Sequence, residues 1–316
     1  MKALLQTSAR SLEMRDVADP AGDRVDVALC GICGSDMHAY AGHDPRRPTP
    51  LTLGHEIVGR DAAGRRVAVN PLLTCGTCRF CREGRDNLCP TRAILSMPPR
   101  EGGFAEAVAS PDHLNVPIPD DVPDEAAALA EPFACGWHAA RLIARVAPLD
   151  DALVLGGGAI GTGAAFALLA QGAARVRLVE PNAARAERLR GLERIEVEAE
   201  PAEAGVVIDG VGIDATRAAS FAHVRPGGVI AHIGLGGGTG GFDPRRATLQ
   251  EITWFGTYTY TAEDFRETCA AIFDGRIPAA RHLDRLVEVR PLAQGAAAFA
   301  ALAAGEVAVP KVMLRP

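Results

Sequence analysis

The sequence predicts an α/β protein in two parts: a small irregular β-barrel or sandwich, and a doubly wound parallel sheet. Three observations carry this. At 316 residues with 48% hydrophobic content, the chain is too long for one average domain and too apolar to be disordered. Its first third holds short β-like runs broken by Gly, Pro and Asp, without a long amphipathic helix. After about Glu125, Ala-rich helical stretches alternate with β-branched runs, and that alternation builds a parallel sheet.

In chain order, Val25–Cys30, Ile57–Arg60, Arg66–Val69 and Ala105–Val108 read as strands of the first part. Ala152–Leu155, Arg175–Val179, Gly205–Ile208 and Val229–Ile233 read as strands of the second. Arg194–Glu198 is strand-like too, but residues 199–204 are too few for a helical crossover. Either a short turn replaces that helix or the strand is absent. From Ala262 a helix restarts, with Phe265, Cys269, Ile272 and Phe273 on one face, and Lys311–Leu314 forms a short strand after Pro310. The expected domains are 1–132 with 262–316, and 133–261.

Charge and targeting narrow the function. The balance of 33 basic against 39 acidic residues gives −6, with Lys2 and Lys311 the only lysines, which argues against a nucleic-acid partner. Gln6 and Arg10 interrupt the opening stretch before a secretory core builds up, so a reducing cytoplasm is expected. There, eight cysteines are metal ligands, nucleophiles or buried thiols in preference to disulfides. The uncharged run Ala152–Ala170 carries Gly157 and Gly161 at membrane-helix dimer spacing, yet it is rich in glycine and lacks basic flanks, so no membrane partner is expected.

Cys75, Cys78, Cys81 and Cys89 form C-x2-C-x2-C-x7-C among turn-forming residues. Four thiolates so spaced can wrap one tetrahedral ion, zinc by preference, in a closed structural site. An iron–sulfur cluster or four unligated thiols are the competing readings. A second, dispersed set comprises Cys33 in CGICGSDMH, His55 and Glu56 in LGHEIVG, and Glu131 in LAEPFACGWH. Cys, His and carboxylate suit a zinc that keeps one position open, although Glu131 by itself reads equally as a capping or surface carboxylate.

Gly156-x-Gly158-x-x-Gly161 follows the apolar run ALVL and opens a helical stretch, with Glu180 at the end of the next strand. Strand before, helix after and acid downstream make this a dinucleotide fingerprint. The first glycine makes the tight turn, the second lets pyrophosphate approach, and the third permits close packing. Glu180 is suited to the adenosine ribose hydroxyls and disfavours a 2′-phosphate, so NAD is expected over NADP. Arg185, with Arg177 and Arg188 nearby, softens that preference.

These motifs, with GGFAEAV, VIDGVG, GGVIAHIG and KVMLRP in the same order, resemble the zinc-dependent medium-chain alcohol dehydrogenases, specifically their polyol (sorbitol or L-iditol) branch. The resemblance implies a GroES-like catalytic domain and a Rossmann domain, two zinc ions per chain and NAD. It implies Cys33, His55 and Glu131 as ligands of the catalytic zinc, with Glu56 coordinating directly or exchanging with water. Asp36 would fix the His55 tautomer, and Ser35 and His38 resemble the family's proton relay. Arg185 matches a position near the ribose, and the family's chains are longer than 316 residues. The implied reaction is reversible oxidation of a secondary alcohol or polyol in a cleft between the domains. A threonine-type or simple alcohol or aldehyde dehydrogenase is the alternative within the fold. A catalytically inactive zinc-stabilised binding protein is the alternative outside enzymes, and the intact motifs argue against it. Relatives associate through nucleotide-binding sheets, so a homodimer or homotetramer is expected, with Ile252–Tyr260 as either its edge or an ordinary core strand.

Overall fold

Six β-branched runs pair side by side, all parallel, in the order Ile195–Glu198, Arg175–Val179, Asp151–Leu155, Ala204–Asp209, Val224–His232 and Thr253–Gly256. The computed structural model describes residues 1–316 and divides them into two compact units, and this sheet belongs to the second, Pro132–Tyr260 with Asp274–Leu286. Its central strands Asp151–Leu155 and Ala204–Asp209 are apolar and buried nearly throughout because helices cover a doubly wound sheet on both faces. The helix Ala159–Ala170 is buried along almost its whole length, which is why its sequence has no polar stripe. Strand order reverses between Asp151–Leu155 and Ala204–Asp209, and ligands of such sheets bind outside the carboxyl ends of the strands at that point.

Arg194–Glu198 is indeed a strand over Ile195–Glu198, and residues 199–203 alone lead from it to Ala204. The two strands are three positions apart, about 14 Å at ~4.8 Å per strand. Residues 199–203 hold no helix, so a short link that bends at 199–200 takes the place of the crossover helix. The segment is held at Glu203, whose carbonyl accepts from Arg177 Nη2 (2.8 Å) and Arg225 Nη2 (3.2 Å).

The first unit comprises Met1–Glu131, Thr261–Phe273 and Val287–Pro316. Its main sheet runs Asn115–Pro117, Arg66–Val69, Glu56–Asp61, Arg24–Gly31, Lys311–Arg315, Val287–Pro291, with Ala107–Ala109 also paired to Arg24–Gly31. A second sheet joins Ser11–Asp16, Lys2–Ser8 and Leu51–Thr52. The expected strand Ala105–Val108 is displaced: Ala105 makes only an isolated bridge to Ala3 and pairing begins at Ala107. Leu4, Val25, Ile57, Val69, Phe104, Phe299 and Leu314 form one core, where the Phe104 and Phe299 rings meet edge to face at 5.7 Å. The C-terminal strand enters late but centrally, with Met313 opposite Gly31 and Leu314 opposite Cys30. The tail expected as one piece from 262 is divided, because Asp274–Leu286 packs with the second unit through Arg188 and Arg285. No helix is long and apolar enough to cross a membrane.

Candidate active site

Cys33 caps the short helix Gly34–Tyr40, while His55 and Glu56 sit where the chain enters the strand Glu56–Asp61. Asp36 joins the two segments. Its Oδ2 accepts from the Cys33 N–H (3.0 Å), its Oδ1 accepts from the Gly54 N–H (3.3 Å), and Oδ1 lies 3.6 Å from His55 Nδ1. One ligating atom each of Cys33, His55 and Glu56 then lies within 4.8 Å of the others. With Nδ1 facing a carboxylate, Nε2 is the nitrogen left for a metal.

The electrostatics suit a bound cation. Burial pushes His55 down, but the Asp36 carboxylate and the Cys33 sulfur outweigh it and hold the imidazole well above its usual value. Asp36 is fully buried, yet the His55 and Arg47 charges keep it below the ordinary carboxylate range. Glu56 is wholly buried; its Oε1 accepts from Lys311 Nζ at 2.6 Å, and its Oε2 has no partner. An unpartnered buried carboxylate oxygen beside a thiol and an imidazole is costly by itself and suited to metal.

Lys311 and Gly31 adjoin Glu56 in this site and were missed by motif reading. Lys311 Nζ also donates to the Ile32 carbonyl (2.8 Å), and although burial pushes its pKa down, Glu56 raises it above the usual value. A charged residue in the apolar run VPKVML was the available signal. A Cβ on Gly31 would stand 2.0 Å from Glu56 Oε2, so only glycine leaves that oxygen its place.

Glu131, at the start of the helix Ala130–Ala144, is buried but is not among the groups converging within 4.8 Å. Its charge acts on Lys311. Ser35 and His38 are both half-buried and three positions apart on one short helix, so they share a face.

The four-cysteine lobe is compact. Sγ separations are 3.9 Å for Cys75–Cys81, 3.5 Å for Cys78–Cys81 and 3.6 Å for Cys75–Cys89. A tetrahedron of sulfurs about ~2.3 Å from zinc has edges near ~3.8 Å, so these four fit one zinc ion. Backbone N–H groups of Thr77 and Cys78 lower Cys75 to about 5, while burial and neighbouring sulfur raise Cys81 to about 12.

In the second unit, Gly156 has φ +97°, the left-handed turn its position required. A Cβ on Gly161 would lie 1.8 Å from the Gly156 carbonyl oxygen, which explains the packing glycine. Gly158, the N-cap of the helix Ala159–Ala170, has ordinary φ and open space around its missing Cβ. That space at a helix N-terminus is a cradle for pyrophosphate. Glu180 is pinned against this loop: Oε2 accepts from Gly157 N–H (2.9 Å) and Arg185 Nη1 (3.3 Å), and Oε1 accepts from Asn182 N–H (2.7 Å).

Residues 20–120 match the alcohol dehydrogenase GroES-like domain, and residues 159–274 match the zinc-binding dehydrogenase family. The chain belongs to the zinc-dependent medium-chain dehydrogenases, in their polyol branch. It is 32% identical over 293 residues to the L-galactonate-5-dehydrogenase of Escherichia coli, covering 84% of this chain and 85% of that one. To the sorbitol dehydrogenase of Bacillus subtilis it is 32% identical over 266 residues, covering 74% and 75%. An RspB alcohol dehydrogenase from E. coli CFT073, solved with NADH, superimposes with TM-score 0.86 at 25% identity, covering 100% and 99%. A Sinorhizobium meliloti protein solved with NADP gives TM-score 0.87 at 26% identity, covering 100% and 99%. The doubly wound sheet and the irregular β-unit are thus those of this family, and the protein is an oxidoreductase.

Proposed function

We propose that this dehydrogenase oxidises a secondary hydroxyl of a polyol to the ketone, reversibly, with NAD. The convergence of Cys33, His55 and Glu56 beside the helix carrying Ser35 and His38 carries this reading. Cys33 and His55 would hold a zinc ion with a carboxylate, Glu56 as the nearer and Glu131 as the second. Cys75, Cys78, Cys81 and Cys89 would hold a structural zinc. When bound, zinc supplies a Lewis acid that lowers the pKa of the substrate hydroxyl, and NAD supplies the hydride acceptor.

The chain's own groups do the rest. Ser35 accepts the hydroxyl proton, and His38 passes it outward. Asp36 holds His55 in the tautomer with Nδ1 protonated. Lys311 takes half of the Glu56 carboxylate. Gly156, Gly158 and Gly161 seat the pyrophosphate, and Glu180 reads the adenosine ribose with Arg185 at its side. A pinned carboxylate repels a 2′-phosphate, which favours NAD. The domains follow as a catalytic unit of about 1–132 with the C-terminal strands and a nucleotide unit after it.

None of the eight cysteines is in a disulfide, and a reducing cytoplasm suits them. The edge strand Thr253–Gly256, with Trp254, Phe242 and Leu249 exposed nearby, suits assembly into a homodimer or homotetramer. The test is NADH formation by the purified protein on addition of sorbitol, threonine or a simple secondary alcohol, together with zinc stoichiometry. Turnover of sorbitol best and two zinc per chain support the reading. One zinc and no turnover would make the chain a zinc-stabilised binding protein.

A further inference from the structure

Arg47 lies in an ordinary-looking turn, RRPTP, and no motif marks it. Its side chain is nevertheless only 2% exposed. All five of its N–H groups find acceptors. Nε donates to the Ser96 carbonyl (2.9 Å), and Nη1 donates to the Ser35 carbonyl (3.1 Å) and Asp44 Oδ2 (3.0 Å). Nη2 donates to Ser35 Oγ and Ser96 Oγ, each at 3.4 Å. Ser96 Oγ in turn stands 3.4 Å from His55 Nδ1. One guanidinium therefore touches the hydroxyl assigned to take the substrate proton and the group packed behind a metal-ligating imidazole.

We infer that Arg47 is a positioning residue for the dehydrogenation, aiming the Ser35 hydroxyl and bracing His55 through Ser96. The inference rests on the role proposed above for Ser35. Its physical core is that a guanidinium donates and never accepts. With Nη2 on one lone pair of Ser35 Oγ, the serine proton cannot point toward Arg47. The hydroxyl keeps one lone pair to receive a proton and its own hydrogen to hand on, which is the pair of directions a relay needs. The Nη1 bond to the Ser35 carbonyl fixes the backbone of the same residue, so the hydroxyl is held from two sides. Ser96 Oγ likewise spends a lone pair on Arg47, which orients it toward His55.

Burial of this charge is offset by Asp44, whose other contacts to Arg46 (2.8 and 2.9 Å) keep that carboxylate paired if Arg47 is lost. Lysine cannot replace the fork, because one ammonium with three donors cannot span Asp44, Ser35 and Ser96 together.

The test compares Arg47→Met, Arg47→Lys and Ser96→Ala in zinc-loaded enzyme, measuring kcat, KM, zinc content, melting and the solvent deuterium isotope effect. A misaimed hydroxyl lowers kcat by ~10²-fold. The expected result is that fall in Arg47→Met, with KM and two zinc per chain kept, and a larger isotope effect because proton transfer becomes limiting. Arg47→Lys should recover part of kcat, and Ser96→Ala should fall least. Wild-type kcat in Arg47→Met overturns the inference. So does a parallel fall of kcat, zinc content and melting temperature in Arg47→Met and Arg47→Lys alike, which marks a purely structural residue. If the wild-type protein oxidises no alcohol, the functional reading fails, and this inference with it. Should Arg47→Met not fold, Ser96→Ala decides, with an unchanged kcat and isotope effect counting against the bracing arm.

Discussion

The four-cysteine lobe and the Cys33–His55–Glu56 site are both tight donor clusters, yet they are built in opposite ways. The lobe takes its donors from one short stretch, Cys75 to Cys89, three of them exposed or half-buried, with no acid among them. The mixed site gathers donors from separated segments and encloses them with Asp36, Lys311, Ser96 and Arg47. Charge explains the difference in use. Four thiolates around a dication sum to 2 − 4 = −2, a saturated and unreactive centre. One thiolate, one neutral imidazole and one carboxylate around a dication sum to 2 − 2 = 0, and Lys311 draws density from that carboxylate, so a metal held there would stay electrophilic.

Mutations should separate the two sites. His55→Ala should abolish turnover and lower zinc from two per chain to one while NADH still binds; full activity in a metal-analysed sample would remove His55 from the site. Lys311→Met leaves Glu56 as an uncompensated buried charge, a cost of ~3–5 kcal/mol, and should be read by chemical denaturation. An unchanged midpoint would mean Glu56 is protonated or solvated. Cys78→Ser should unravel the lobe and lower the melting temperature by roughly 4 °C or more, what ~2 kcal/mol is worth in a chain of this size, while some turnover survives. Equal zinc content in mutant and wild type would argue that the cluster holds none.

Acidity distinguishes the sites further. In the metal-free chain His55 has a raised pKa because the Asp36 and Cys33 charges outweigh its burial. Compared with an unfolded value near ~6.5, the protonated imidazole stabilises the metal-free fold fully below that value, and the contribution fades as pH rises through the folded pKa. Zinc needs the neutral ring and the Cys33 thiolate, so its affinity for the mixed site should rise at least tenfold per pH unit while the imidazole still carries its proton. Competitive zinc titrations at several pH values, in a Cys78→Ser background, check this; a flat profile would contradict it. The smallest effect concerns the coenzyme. Glu180→Ala should raise the KM for NAD about tenfold, the worth of a hydrogen bond to a charged group, and improve NADP. An unchanged ratio would deny Glu180 its ribose role.

What could be read from the sequence follows the same division. The lobe, the glycine fingerprint and most strands were legible because each is a local pattern. Cys33, His55 and Glu56 required motif context, since residues tens of positions apart carry no spacing signal. Lys311, Gly31 and Arg47 were not legible, because their roles depend on which strand lies beside which. Nothing in KVMLRP says that it runs next to Arg24–Gly31. The sequence allows either a short turn in place of the crossover helix or no strand near Arg194, and the strand Ile195–Glu198, followed at once by bends, answers for the short turn.

Lys311 reaches Glu56 across 255 positions of sequence. During synthesis the whole nucleotide-binding sheet therefore emerges from the ribosome before the lysine that steadies Glu56 exists. Until then the early strands present the Glu56 carboxylate without its counter-charge. Pairing of Lys311–Arg315 with Arg24–Gly31 is therefore what completes the surroundings of Glu56.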